Sequence, residues 1–206
     1  MNEMKKTPYI WLISGCSSGF GREIALQALS EGDFVGVSSR NVKDVEDICK
    51  EYPKTALPIK LDVTNKDEIK ESIQTINKVY GGLDVLVNNA GYGYLAAIEE
   101  GENEEVRKLF ETNFFGALEL TKAALPGMRA QRFGRIINNS SQAGIMANPG
   151  TGYYSSSKYA LEGLMEALDK ELRPLNISVT SVQPGAFRTD WSGRSMKRSN
   201  IEIDDY

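Results

Sequence analysis

The sequence predicts an α/β domain with a parallel sheet and helices packed on both of its faces. Three observations carry this. Short apolar runs alternate with segments of helical periodicity along most of the chain. The runs are continuously apolar, the pattern of strands buried on both sides. The first run leads straight into a Gly/Ser-rich turn and then a helix. Right-handed crossovers then favour a doubly wound, Rossmann-type order over other arrangements of the same elements.

The elements follow in sequence. Tyr9–Ser14 reads as the first strand, and Phe20–Ser30 as a helix with Ile24, Ala25, Ala28 and Leu29 at helical spacing, ending at Gly32. Phe34–Ser38 is a second strand. Val42–Glu51 is a helix stopped before Pro53, and Ala56–Leu61 is a third strand ending at Asp62. Asn65–Val79 is a helix in which Asn65 and Glu68 have the spacing of a capping box, and Gly81-Gly82 ends it. Leu83–Val87 is the fourth strand, followed by Asn88-Asn89-Ala90-Gly91. A long helical region runs from about Glu102 to Met128, as two helices meeting near Asn113. Arg135–Asn139 is a fifth strand, Tyr154–Leu172 a helix stopped at Pro174, and Ile177–Val182 a sixth strand broken by Pro184-Gly185. The polar tail from about residue 192 to 206 has no clear periodicity and is expected to be mobile.

A chain of 206 residues with ordinary globular composition fits one domain spanning residues 1–206. The net charge of -4 gives no electrostatic case for nucleic acid or an anionic membrane. No run is long enough for a signal-peptide core or a membrane span, so a cytoplasmic location is expected. Cys16 and Cys49 have no metal-type spacing and read as reduced thiols. There are no histidines, so no His-based metal site or Ser-His-Asp machinery can be assembled, and no metal is expected.

The turn after the first strand reads Ser14-Gly15-Cys16-Ser17-Ser18-Gly19-Phe20-Gly21. At that place backbone N–H groups and a helix N-terminus can hold a pyrophosphate, and glycines allow the close approach. The same residues match G-x-S-x-G, a hydrolase nucleophile elbow on Ser17. That chemistry needs a base, normally histidine, and is rejected. Further along, Tyr154 and Lys158 stand four apart, one turn from each other on a helix face. A nearby ammonium is expected to draw the phenol pKa down from its usual value of about 10 and make a general acid/base.

Taken together, the chain resembles a classical short-chain dehydrogenase/reductase (SDR) from Ile10 to about Thr189. The resemblance is carried by the S-G-C-S-S-G-F-G turn, Leu61-Asp62-Val63, Asn88-Asn89-Ala90-Gly91, Asn113, Ser140-Ser141, Tyr154-x-x-x-Lys158 and Pro184-Gly185. One departure is Ser14, where the family usually has threonine, and the hydroxyl is kept. The stretch from Pro184 to Trp191 is most similar to the branch related to 17β-hydroxysteroid dehydrogenases, which is no evidence for a steroid.

The resemblance implies a catalytic set of Asn113, Ser141, Tyr154 and Lys158. Tyr154, not its neighbour Tyr153, has the lysine at i+4, and Ser141 lies the family's thirteen residues before it. The implied roles are proton donor or acceptor for Tyr154, substrate-oxygen binding for Ser141, and pKa lowering and ribose binding for Lys158. For Asn113 it implies a helix kink and a water in the proton relay. It also implies a cofactor site of Gly15, Ser17, Ser18, Gly19, Phe20 and Gly21, then Ser39, Arg40, Asp62 and Val63. Asn89, Ala90, Gly91, Pro184 and Gly185 complete it, with Tyr154 and Lys158. Ser39, with Arg40 after it, stands where an acidic residue would select NAD. A guanidinium there suits a 2′-phosphate, so NADP(H) is expected to be preferred, with NAD(H) possible.

The implied reaction interconverts a carbonyl and an alcohol by hydride transfer. Phe187, Trp191, Ile145 and Met146 suggest a hydrophobic small-molecule substrate. A homodimer or homotetramer is expected by the same analogy. A second reading, a nucleotide-binding sensor or interaction protein without catalysis, does not require Tyr154 and Ser141. The family's substrate lid and seventh strand are absent from this chain, so the sixth strand is expected at a sheet edge and the substrate pocket is expected to be incomplete.

Overall fold

The computed structural model describes residues 8–185, 187, 193 and 195–206. Six strands form one parallel sheet: β1 (Ile10–Ile13), β2 (Phe34–Ser39), β3 (Ala56–Lys60), β4 (Val85–Asn88), β6 (Gly134–Asn139) and β7 (Ile177–Val182). Their order is β3-β2-β1-β4-β6-β7, with β1 registered against both β2 (Ile10 opposite Phe34) and β4 (Trp11 opposite Val85). The doubly wound, Rossmann-type expectation is met. The chain starts at β1, winds outward to β3, then crosses back to β4. The winding therefore reverses between β1 and β4, the place where such sheets open a crevice at the strands' carboxyl ends.

The apolar runs explain the two cores. On one face Ile13, Val35, Val37, Val85 and Val87 pack with Ala25 and Leu29 of helix α1 (Gly19–Ser30) and Ile48 of α2 (Glu46–Glu51). On the other, Leu12, Leu86, Ile136 and Ile177 pack with Ile69 and Ile76 of α3 (Lys66–Tyr80) and Leu120, Ala124 and Met128 of α5 (Ala117–Gln131). Leu172 of α6 (Gly152–Leu172) joins that second core.

Several elements differ in detail from the sequence reading. The helix expected over 42–51 opens as a 3-10 turn over Val42–Val45, with the Asn41 side chain accepting from the Lys43 N–H, before α2 begins. The Asn65 cap forms, accepting from the Asp67 and Glu68 N–H groups. Glu68, however, does not close the capping box. Its carboxylate accepts from the Asp62 N–H at 2.7 Å and pairs with Lys60 at 2.7 Å, which anchors the loop after β3.

The long helical region divides near Asn113, into α4 (Asn103–Phe110), a wide π-helical turn (Glu111–Gly116) and α5. The tail yields a short strand that the sequence reading did not anticipate. β8 (Met196–Arg198) pairs in parallel with β5 (Gly93–Leu95), and Ser199 Oγ donates to the Glu100 carbonyl at 2.6 Å.

Candidate active site

Above the carboxyl ends of β1 and β4 lies a cleft of about 1140 Å³. Its floor is built by two loops that hold each other. The Ser14 hydroxyl donates to the Val87 carbonyl at 3.2 Å and accepts from the Asn89 and Ala90 N–H groups at 2.9 and 3.0 Å. The hydroxyl kept at this departure from the family pattern therefore ties β1 to β4. Asn89 returns the contact, its amide donating to the carbonyls of Ser14 and Gly15 at 2.9 and 3.0 Å. Cys16 is sealed beneath the turn, and burial pushes its thiol up to about 12, so it is an inert structural thiol.

The glycines of this turn have distinct reasons. Gly15 and Gly19 have φ of +74° and +58°, a region costly to other residues. Gly21 instead answers to space, since a Cβ there would lie 2.4 Å from both Asn89 Nδ2 and the Gly15 oxygen. Ser18 is the N-cap of α1 yet makes no side-chain cap bond, and no acidic residue sits in the first turn. The N–H groups at that end face the cleft with the positive end of the helix dipole. Gly15, Ser17, Ser18, Gly19 and Phe20 all line the cleft, while Gly21 packs behind it. These residues fit the pyrophosphate of a dinucleotide.

Toward the far end, Ser39, Arg40, Asp62 and Val63 line the same cleft, as do Asn89, Ala90 and Gly91. Ser39 is buried and its hydroxyl donates to the Asn41 carbonyl at 2.9 Å, which fixes the turn that presents the exposed Arg40. β2 thus ends without a carboxylate. Asp44 stands in the following turn, held by the Asn41 amide at 3.5 Å. The Asp62 carboxylate accepts from the Thr64 N–H and hydroxyl at 2.9 and 2.7 Å, and is held rigidly at the wall.

At the near end α6 presents Tyr154 and Lys158, both buried, beside the turn after β6 that carries Ser141. The Ser141 hydroxyl is hydrogen-bonded to the phenol of Tyr154 and accepts from the Ala143 N–H at 3.1 Å. Behind it, the Gln142 N–H donates to the Pro184 carbonyl at 3.0 Å, bringing Pro184 and Gly185 into the wall. Lys158 Nζ donates to the Asn139 carbonyl at 2.8 Å and lies 5.9 Å from the centre of the Tyr154 ring.

The electrostatics correct one expectation. Burial pushes the Tyr154 phenol above its ordinary value, with the Ser141 hydrogen bond pulling the other way, so the expected lowering by Lys158 does not dominate here. Lys158 itself is lowered to about 8, by burial first, with the Glu162 carboxylate opposing.

Asn113 is buried in the π-helical turn behind the cleft. Its amide donates to the Tyr92 carbonyl at 2.9 Å and to Ser157 Oγ at 3.2 Å, and its oxygen accepts from the Tyr92 N–H at 3.0 Å. The wide turn is what lets the side chain reach the chain after Gly91. A Cβ on Gly91 would sit 3.1 Å from Asn113 Oδ1 and 3.8 Å from Lys158 Nζ.

Asn139 was not singled out in the sequence. Its carbonyl receives Lys158 and its amide donates to Asn89 Oδ1 at 2.9 Å, coupling the two ends of the cleft. The signal was present as a pair of carboxamides, Asn138-Asn139, closing an apolar strand opposite Asn88-Asn89. Met146 and Phe187 line the mouth, and Phe187 meets Phe20 edge-on at 5.4 Å. Ile145, also exposed, precedes Met146. Trp191 lies outside the described residues.

The family model for short chain dehydrogenases matches residues 9–200. A 3-ketodihydrosphingosine reductase of Bacteroides thetaiotaomicron is 42% identical over 200 residues, covering 97% of this chain and 72% of the relative. A crystal structure of a short-chain dehydrogenase from Streptomyces avermitilis matches with a TM-score of 0.92 at 41% identity, over 97% of this chain and 74% of that one. The structure of ElxO with NADP bound matches with a TM-score of 0.85 at 31% identity, over 89% of this chain and 76% of its own.

Proposed function

As a member of the short-chain dehydrogenase family, this chain is an oxidoreductase of alcohol and carbonyl groups, and we propose that it uses NADP(H) to reduce an apolar ketone or aldehyde with Tyr154 as proton donor. The observation that carries this reading is the hydrogen bond between the Ser141 hydroxyl and the Tyr154 phenol inside the cleft, with Lys158 one turn away.

Gly15, Ser17, Ser18, Gly19 and Phe20 would hold NADPH, which would supply the hydride for a carbonyl carbon. The chain's own residues do the rest. Ser141 and Tyr154 together make a two-point grip for a carbonyl oxygen, which fixes the face presented to the cofactor. As negative charge grows on that oxygen, the phenol proton passes to it. An ordinary phenol is protonated at neutral pH and burial pushes Tyr154 further the same way, so the form that donates is the one present. Lys158 holds a positive charge beside the phenolate that remains, and the Asn139 carbonyl fixes its direction. Asn113 ties the chain after Gly91 to Ser157 of α6.

Support for NADP(H) comes from Arg40 after the uncharged end of β2 and from the NADP bound to ElxO. Met146 and Phe187 at the mouth favour an apolar group on the substrate, and the keto compound named for the Bacteroides relative fits a ketone. A panel of ketones and aldehydes with chains of increasing length, assayed with NADPH, tests this. Oxidation of NADPH with kcat/KM rising with chain length is expected. A competent, NADPH-binding protein that reduces polar short carbonyls better than long apolar ones would contradict the substrate assignment.

A further inference from the structure

Tyr154, Lys158 and Glu162 occupy three successive turns of one stripe of α6. The family pattern assigns work to the first two. Glu162 has an oxygen, Oε1, that is shielded from solvent and has no hydrogen-bond partner among the described residues, and the buried Ser140 hydroxyl is in the same condition. Both groups border Gly144. A Cβ built on that glycine would lie 2.9 Å from Ser140 Oγ, 3.2 Å from Glu162 Cγ and 3.3 Å from Lys158 Cβ. The three side chains therefore converge beneath the turn that carries Ser141.

A carboxylate oxygen withdrawn from water and left without a donor is strongly unfavourable unless a charge compensates it. Helix stability is a poor explanation, because lysine preceding glutamate by four is the weaker order of such a pair. The compensating charge at hand is the Lys158 ammonium, itself buried. Among the described residues, the groups around that ammonium are the Tyr154 ring and the Glu162 carboxylate from α6 and the Asn139 carbonyl from β6, with the Asn113 carboxamide across Gly91 from it. Glu162 is the carboxylate among them, one helical turn away, and it acts on the ammonium through space rather than by a direct ion pair.

We propose that Glu162 is a positioning residue of this active site, whose half-buried carboxylate keeps the Lys158 ammonium charged and directed at the Asn139 carbonyl beside Tyr154. The consequence for turnover rests on the oxidoreductase reading above, whereas the effect on the lysine does not. Burial already lowers Lys158 to about 8, and Glu162 is the group opposing that fall. Without it, the ammonium loses its proton closer to neutrality.

The test is the titration of the Lys158 ε-carbon by NMR in protein labelled with carbon-13 lysine, the resonance being assigned by its loss in Lys158→Met. In Glu162→Gln, which keeps the shape and removes the charge, the midpoint moves down by about one pH unit. In Glu162→Asp, which withdraws the charge by one methylene, it moves down by less. Turnover with NADPH falls about tenfold on the alkaline side and little on the acid side, as one pH unit implies. A midpoint unmoved in a folded Glu162→Gln protein overturns the proposal, even where turnover falls. If that variant does not fold, an unmoved midpoint in Glu162→Asp overturns it equally. A midpoint that shifts as stated while no form turns over carbonyls with NADPH supports the role of Glu162 and removes the oxidoreductase reading instead.

Discussion

Tyr154→Phe is expected to lower kcat for NADPH-dependent carbonyl reduction by about 10²–10⁴-fold, the range that a positioned general acid contributes. The ring stays where it is, in the buried cluster with Tyr94, Ala96 and Leu109, so the helix and the cleft keep their shape. The loss is confined to one hydroxyl, the partner of Ser141. Ser141 retains its second contact, the Ala143 N–H, and stays in place. NADPH binding should change by less than about threefold, since the glycine turn and Arg40 are untouched, a difference under about 1 kcal/mol. Steady-state kinetics with a parallel NADPH titration separates the two effects. A variant that turns over at the unmodified rate would show that proton donation does not pass through Tyr154. One that loses NADPH affinity as steeply as turnover would place the residue in binding rather than chemistry.

The second large effect belongs to Gly21→Ala. A single methyl group at this position meets the Gly15 oxygen and Asn89 Nδ2, each at 2.4 Å. The Gly15 oxygen is main chain and cannot swing aside. The Asn89 amide can, but only by breaking its bonds to the Ser14 and Gly15 carbonyls. Overpacking of this kind costs about 1–3 kcal/mol. Placed under the proposed phosphate-binding turn, that is expected to weaken NADPH binding by about ten- to hundredfold. Gly19→Ala is the control, since no atom lies within 4 Å of its added Cβ and only the strain of φ +58° remains. The milder loss should be its own. If Gly21→Ala binds NADPH as the unmodified protein does, the turn is not the pyrophosphate cradle described.

These effects are unequal in how far they could be read from the chain. The glycine turn, Tyr154, Lys158 and Ser141 were legible because each is fixed by local spacing, along a loop or one helix face. The six-stranded sheet was legible because its runs are continuously apolar. β5 and β8 were not, since three residues carry no period and their pairing joins positions about a hundred apart in sequence. The Tyr154 pKa direction was misjudged for a related reason. Spacing placed an ammonium near the phenol, but the phenol is buried among Tyr94, Ala96 and Leu109 and Lys158 is drawn to the Asn139 carbonyl, contacts between elements distant in sequence. Asn139 itself was missed because its two partners, the Lys158 ammonium and the Asn89 carboxamide, come from elements distant in sequence. Glu68 looked like a helix cap and instead serves the Asp62 loop, a choice set by Lys60 on β3.

The proposed NADP(H) site depends on Arg40 after the uncharged end of β2. Titration of the purified chain with NADPH and with NADH, followed by nicotinamide fluorescence, tests it most directly. NADPH is expected to bind at least about tenfold more tightly, a gap of about 1.4 kcal/mol or more, which a charge-assisted guanidinium–phosphate contact can supply. In Arg40→Ala the gap should close through weaker NADPH binding, with NADH unchanged. Equal affinities in the unmodified protein, or a preference that survives the loss of Arg40, would contradict the account.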